Sequence, residues 1–280
     1  MGLRIALIGN TNNNLFSLCR YLRARGYDAE LLLCDNEHPH FHPSFDCFDE
    51  DYLSYTKQLT WGSLLSYIEG DWETVRSNLE DYDILIGSGP APVFVNRIGR
   101  QLDILQPFGG DVTELSRFEF INYGAPLISW QNLKLQLARF KYVQDYRAGV
   151  AGTKHLFLIE DYFMPFISEC GFTGERHRFL VPMVYVEADH RRKSLTENFP
   201  VLSHSDLIRS FQKKKSPIVF HHSRHVWTSG SDPISNKGND RLIRGFADFV
   251  HKHPELSPVL ITCEYGEDVN ESKQLIEECR

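Results

Sequence analysis

The 280-residue sequence lacks most features of secreted, membrane-spanning and nucleic-acid-binding proteins. Its six cysteines are scattered and form no C-x-x-C pair, which favours reduced thiols over a disulfide framework. No segment approaches the roughly 20 apolar residues of a spanning helix, and MGLRIALIGN at the start has no signal-peptide stretch. A net charge of −7 gives no basic footprint for nucleic acid. We therefore expect a cytoplasmic protein without a nucleic-acid partner.

Standard cofactor and catalytic motifs are also missing. The loop GNTNNN (9–14) does not have the spacing of G-x-G-x-x-G, and no P-loop occurs. No nucleophile elbow marks a catalytic serine. His38, His40 and His42 alternate as zinc ligands can, but no fourth ligand is evident beside them. We therefore assign no metal, no other cofactor and no catalytic residue from the sequence.

Apolar runs alternate with helical patterns along the chain, which predicts an α/β fold. LRIALIG, a loop, a helix closed by Gly26 and then AELLLCD form one parallel βαβ unit. Residues 37–60 are interpreted as a long loop, 125–131 as a further strand, and 187–216 as a linker with a surface helix. The pattern resumes at PIVFHH with two strands and two helices. We predict two Rossmann-like domains, 1–184 and 185–280, the second incomplete.

The loop SRHVWTSGSDPISNKGND (223–240) places two cations before a helix. Arg224 follows a buried strand, and Lys237 and Gly238 precede the helix N-terminus, whose free N–H groups attract anions. Ligands of open α/β sheets bind at the carboxyl ends of the strands. Arg224 and Lys237 therefore suit a diphosphate clamp. The alternative is a solvated loop with two ordinary surface cations.

Two glycine segments of the first domain are further candidates. Gly9, with Asn10 and Asn13, could cradle a phosphate or a sugar, or form an ordinary Asn-rich turn. The segment FGGD contributes Gly109, Gly110 and Asp111. Asp111 could bind a sugar hydroxyl, act as a general base, or cap the following helix.

Other polar features have two interpretations each. The helix near 132–147 is basic and partly amphipathic, which fits an anionic membrane face or an ordinary surface helix. The basic clusters at 190–193 and 213–215 are typical of solvated charge. His221 and His222 end a buried strand, so we expect one to face the core and the other the cleft.

Taken in order, these segments resemble the retaining glycosyltransferases of the GT-B fold, group one. The likeness is most specific at SRHVW…NKGNDRLIRGFADF, where the family holds the donor diphosphate, a role that falls on Arg224 and Lys237. GNTNNNLFSLCRYLRARGYDAELL resembles the family's opening segment, which implies that Gly9 and the Asn loop face donor phosphate and acceptor. FGGDVTE resembles a segment near the acceptor.

The resemblance implies a nucleotide-diphosphate-sugar donor and a glycan or lipid-linked acceptor, with no strict need for a metal. It further implies surface-polysaccharide synthesis. A peripheral contact on the inner face of the membrane is an expectation that rests on the basic helix near 132–147.

The chain departs from the family pattern in three ways. Twelve residues separate Arg224 from Lys237, which is a long loop for this family. The E-x7-E element is absent, since no glutamate has another eight positions later. The sequence also stops about where the donor half of the second domain would begin, so the resemblance implies a truncated form that lacks much of the donor site, with inactivity of this form as one possible consequence. A non-catalytic sugar-, nucleotide- or partner-binding module and a nucleotide-sugar epimerase remain the alternatives.

Overall fold

The computed structural model describes residues 2–46, 50–119, 130–181, 184–185, 216–228 and 236–279. The chain divides into two compact units, Met1–Val186 and Glu187–Arg280. Both basic clusters and nearly all of the expected linker at 187–216 lie outside the described residues.

The first unit contains one sheet of seven parallel strands. In chain order they are β1 Arg4–Ile8, β2 Asp28–Leu33, β3 Thr56–Gln58, β4 Ile84–Gly87, β5 Ile104–Leu105, β6 His155–Phe157 and β7 Glu175–His177. Their order in the sheet is β3-β2-β1-β4-β5-β6-β7. After β1 the chain continues to β2 and β3 on one side of β1, and then to β4 and the later strands on its other side. The strand order therefore reverses between β1 and β4, and ligands of such sheets bind beyond the carboxyl ends of the strands at this point.

Helices cover both faces of this sheet. They are α1 Asn14–Ala24, α2 Leu64–Glu69, α3 Trp72–Leu79, α4 Ala91–Arg97, α5 Gly110–Leu115, α6 Trp130–Ala151 and α7 Met164–Glu169. Ile5 and Leu7 belong to one hydrophobic cluster with Phe16, whereas Ala6 and Ile8 belong to the other with Phe94. Because β1 is buried on both faces, its sequence is a continuous apolar run. The predicted α/β fold class is confirmed.

The structure differs from the predicted elements at three places. The interval 37–60, expected to be a loop, contains β3, whose three residues pair with Leu31–Leu33 of β2. This strand lies at the sheet edge and is largely exposed, so its sequence TKQ carries no apolar signal. Trp130 and Gln131 begin α6 instead of ending a strand, and 125–129 lie outside the described residues. The apolar run RHRFLVPMVYV (176–186) also predicts a strand, whereas β7 spans Glu175–His177 and the described residues 178–181 are not in a strand.

The second unit has two parallel strands and two helices among its described residues. These are β8 Ile218–His221, α8 Asn239–Lys252, β9 Val259–Thr262 and α9 Val269–Glu278. The apolar side of α8, with Ile243 and Val250, borders a groove of about 350 Å³ that also touches Leu260 of β9 and Ile276 of α9. Phe220 of β8 is 64% exposed. The four predicted elements of this unit are all present.

Candidate functional site

The two predicted cations of the second unit lie at the carboxyl end of β8. Lys237 is held next to the loop that carries Arg224, because its backbone N–H donates to the carbonyl oxygen of Val226 at 2.8 Å. Both cationic side chains are exposed. Within the described residues, neither side chain has a hydrogen-bond or ion-pair partner. The two charges are therefore available to an anion.

The start of α8 adds backbone donors to this edge. Gly238 precedes the helix with φ +68°, and the buried Asn239 accepts the N–H of Val226 at 3.3 Å. The first intrahelical bond runs from Leu242 to the carbonyl oxygen of Gly238, so the N–H groups of the first turn have no intrahelical acceptor. Asp240 lies in the same turn. A second carboxylate, that of the buried Asp268, is occupied by the N–H groups of Trp227 and Thr228 in the loop of Arg224.

The loop of Arg224 is fixed by its buried neighbour His225. The Nε2 atom of His225 lies 2.8 Å from the carbonyl oxygen of Cys263, which can only accept, so Nε2 carries the proton. Its Nδ1 atom then accepts from the hydroxyl of Ser272 at 2.8 Å. That hydroxyl also accepts from the indole of Trp227. Both ring nitrogens are satisfied, so His225 positions the loop.

The strand-end histidines of β8 differ in environment. The Nε2 atom of His221 lies 3.3 Å from the side-chain amide of Asn239 and is half-buried, whereas His222 is exposed. Burial lowers the pKa of His221, and the nearby imidazoles of His222 and His225 lower it further. His221 therefore links β8 to the start of α8.

In the first unit, Asn10 holds the loop after β1. It is fully buried, and its Oδ1 accepts the N–H of Phe16 at 2.9 Å. Its Nδ2 donates to Asn13 at 2.9 Å and to the carbonyl oxygen of Phe41 at 2.5 Å. Asn12 and Asn13 both have φ +59°, a conformation that asparagine tolerates better than most residues. These hydrogen bonds and backbone conformations explain why asparagine occupies positions 10, 12 and 13.

Glu37 is a titratable group at the carboxyl end of β1 that the sequence did not single out. Its Oε1 accepts the N–H of Asn10 at 2.6 Å and would lie 3.3 Å from a Cβ atom on Gly9. Ser88, after β4, would lie 2.7 Å from the same Cβ. Burial raises the pKa of Glu37 to about 6, although the Asn10 N–H opposes the rise. A carboxyl group with this pKa at the switch point suits proton transfer near neutral pH.

We expect Glu37→Gln to change how stability depends on pH. The pKa of about 6 in the folded state exceeds the roughly 4.3 of an exposed glutamate, so the folded state binds more protons between these values. Stability therefore falls as pH rises through this window. Relative to the wild type, the variant should gain up to about 2 kcal/mol above pH 6 and nothing below about pH 4.3. Urea unfolding across this range tests it, with exposed Glu114→Gln as control. Parallel curves would contradict the raised pKa.

Asp111 connects the loops after β4 and β5. Its Oδ1 accepts from the N–H groups of Phe108, Gly109 and Val112 at 2.8 to 2.9 Å, and its Oδ2 from Gly89 at 3.1 Å. Burial raises its pKa, and these four N–H groups oppose the rise. Of the three roles predicted for Asp111, this geometry favours the capping one, extended to a second loop.

A pocket of about 150 Å³ opens at the carboxyl edge of the first unit's sheet, between the ends of β5 and β6 and the residues after β7. The side-chain amide oxygens of Asn14 and Gln106 are buried there and have no hydrogen-bond partner in the part of the chain that the structure describes. Since buried polar groups are normally paired, these oxygens indicate a missing donor. Phenylalanine rings supply the apolar wall, from Phe108, Phe157, Phe163 and Phe179.

Gly109 permits one side of this pocket to close. Its φ is +108°, and a Cβ atom there would lie 2.7 Å from the ring of Phe163. Gly110 begins α5 and is exposed. The predicted segment 109–111 therefore borders the pocket, where Gly109 leaves room for the ring of Phe163. The residues that line the pocket were not predicted individually as site residues.

Comparisons with known proteins give only distant likenesses. No family model matches the sequence, and no curated protein matches it. A UDP-N-acetylglucosamine 2-epimerase from Rickettsia bellii is 11% identical, with a TM-score of 0.41 over 99% of this chain and 65% of that one. LpCGTa in complex with UDP is 11% identical, with a TM-score of 0.42 over 93% of this chain and 70% of that one. At this level the likenesses carry no inference about activity.

The predicted residues thus fall into two groups. Gly9, Asn10 and Asn13 and the 109–111 segment lie along one edge of the first unit's sheet, whereas Arg224, Lys237 and Gly238 lie at the edge of the second unit's sheet. Among the described side chains, His38 and His42 belong to no group of metal-ligating residues, and the side chain of His40 lies outside the description.

Proposed function

We propose that the protein is a glycosyltransferase of GT-B type that uses a nucleotide-diphosphate sugar. The observation that carries this proposal is the pair of exposed cations, Arg224 and Lys237, which lie beside the start of α8 and have no partner among the described residues. A diphosphate offers several charged oxygens, and guanidinium, ammonium and helix N–H groups bind such oxygens. Neither side chain makes a polar contact with another described residue, which supports a ligand role for both.

The same groups suit the chemistry of glycosyl transfer. When the bond between the sugar and the diphosphate breaks, negative charge develops on the leaving phosphate oxygen. Cations at that oxygen lower the barrier, because they stabilise the developing charge. The hydrogen bonds of the His225 ring with Ser272 and with the carbonyl oxygen of Cys263 hold the loop of Arg224 in place. Gly9 remains a proposed phosphate contact.

The pocket of the first unit is the proposed acceptor subsite. Hydroxyl groups of a sugar would donate to the unpaired amide oxygens of Asn14 and Gln106, and the sugar's C–H face would lie on the phenylalanine wall. Glu37 is the candidate for the group that takes up the acceptor's proton. A glycan acceptor fits this site, as does the sugar head of a lipid-linked one, and surface-polysaccharide synthesis in the cytoplasm would use either.

Contact with a membrane is a further part of the proposal. Four residues at helical spacing make an exposed apolar stripe on the first half of α6: Trp130, Leu133, Leu137 and Phe140. Lys134 and Lys141 are on the same helix. Apolar and basic groups together bind anionic lipid surfaces. No described helix is long and apolar enough to cross a bilayer.

Flotation with anionic vesicles tests this contact. The wild type should float with the vesicles, and a Trp130→Gln/Leu137→Gln variant should lose most of that binding. Leu65→Gln, which changes an equally exposed leucine on α2, is the matched control. Equal flotation of both variants would exclude the stripe as the membrane contact.

Titration calorimetry with UDP, GDP and ADP tests the donor site. We expect at least one diphosphate to bind, while the corresponding nucleoside binds far more weakly. Release of that diphosphate from its sugar ester then distinguishes an enzyme from a binding module. If no nucleoside diphosphate binds to the folded protein, the proposed function is wrong.

A further inference from the structure

Three metal-ligating side chains lie together on the last two strands of the first sheet. Residue His155 of β6 pairs directly with Glu175 of β7, and Phe157 pairs with His177. Side chains alternate between the two faces of a sheet, so residues two apart on β7 share a face with their partners on β6. His155, Glu175 and His177 therefore point to the same side.

The distances between their ligand atoms fit one small cation. The Nε2 atom of His177 lies 3.1 Å from the Nδ1 atom of His155. The Oε2 atom of Glu175 lies 3.7 Å from each of these nitrogens. Ligands about 2.0 Å from a tetrahedral zinc ion are about 3.3 Å apart from each other. The three atoms are thus within a few tenths of an ångström of a zinc ligand set.

The surroundings leave the ligands free for a metal. Arg176 projects to the opposite face, where it donates to Asp161 at 2.6 Å and to the carbonyl oxygen of Leu158. The side chain of Glu175 is 67% exposed, and those of His155 and His177 are 42% and 37% exposed. No described cation other than the two imidazoles forms an ion pair with Glu175. An ion from solvent can reach the site and keep a fourth position for water.

We propose that His155, Glu175 and His177 bind one Zn²⁺ ion. Two imidazoles and one carboxylate are a usual ligand set for zinc with an open position. The ion would join the edge strand β7, three residues long, to β6. Phe179 lies two residues after the end of β7, and its ring centroid lies 5.2 Å from that of Phe157 in the pocket wall. The metal therefore fixes one wall of the pocket in the first unit.

A hydrogen bond between two neutral imidazoles would also explain the distance of 3.1 Å between His155 and His177. It predicts a different behaviour, because a hydrogen-bonded pair needs no metal and gains no stability from one. It also gives no role to Glu175, whose carboxylate completes the ligand set. Metal titration therefore separates the two explanations.

The experiment is a Zn²⁺ titration of the chelator-treated full chain against a chromophoric chelator. We expect one tight Zn²⁺ per chain, a rise in melting temperature on Zn²⁺ addition, and the strong visible absorption of four-coordinate Co²⁺ when Co²⁺ is used instead. His155→Ala and His177→Ala should each weaken Zn²⁺ binding at least 100-fold and abolish the other two signals.

Two further variants keep the result decisive. Glu175→Gln removes one ligand with little change in shape, and it decides the matter if either histidine variant misfolds. His253→Ala is the matched control, since His253 lies 3.5 Å from Glu255 without a second imidazole; it should bind Zn²⁺ like the wild type. Absence of saturable Zn²⁺ binding, or unchanged binding by Glu175→Gln and His177→Ala, would overturn the proposal.

Discussion

The Arg224→Ala/Lys237→Ala variant is expected to bind the preferred nucleoside diphosphate at least ~100-fold more weakly than the wild type. Each single variant should lose about tenfold, since a charge-assisted hydrogen bond contributes about 1.5–3 kcal/mol and about 1.4 kcal/mol corresponds to a factor of ten. Calorimetric titration of each variant measures these losses. Affinity of the wild type should also fall as salt is raised, because the site is exposed and partly screened.

The melting temperature of these variants should stay near that of the wild type. Neither side chain has a polar partner among the described residues, so removing it leaves no unpaired group. Lys252→Ala is the matched control, because Lys252 is an exposed lysine at the opposite end of α8. Wild-type affinity in the double variant would show that the diphosphate binds elsewhere.

The strands and helices could be predicted where burial of the element produces a pattern of apolar residues in the sequence. Residues Ile5 to Ile8 are buried on both faces of the sheet, so β1 appears in the sequence as an unbroken apolar run. The edge strand β3 gives no such pattern, since Lys57 and Gln58 are exposed. Its strand conformation comes from pairing with β2, a contact between distant parts of the chain.

Site residues could be predicted from the sequence where the local backbone conformation favours one residue type. Gly238 and Gly109 stand at positive φ, and Asn13 shares a left-handed turn with Asn12, so each follows from turn chemistry. Glu37, Gln106 and Asn14 become candidates only when neighbouring strands end side by side. The same is true of His155 and His177, whose association depends on the register of β6 and β7.

Asp111→Ala is expected to destabilise the first unit by about 3–5 kcal/mol. The carboxylate accepts four backbone N–H bonds, and truncation leaves the N–H groups of Phe108, Gly109 and Gly89 without this acceptor, whereas Val112 keeps its bond to the carbonyl oxygen of Gly109. A lost hydrogen bond to a charged group costs about 1.5–3 kcal/mol, and the four costs do not add fully. Urea unfolding measures the loss, with Asp248→Ala on the exposed side of α8 as control.

Asp111→Asn distinguishes the two roles still open for this residue. The asparagine oxygen can keep the Oδ1 bonds to Phe108, Gly109 and Val112, but its NH₂ group would face the N–H of Gly89. We expect an intermediate loss of about 1–2 kcal/mol. A general base would in addition lose turnover in this variant, because an amide cannot take up a proton near neutral pH. Intermediate stability with turnover retained would identify Asp111 as the residue that joins the two loops beside the pocket.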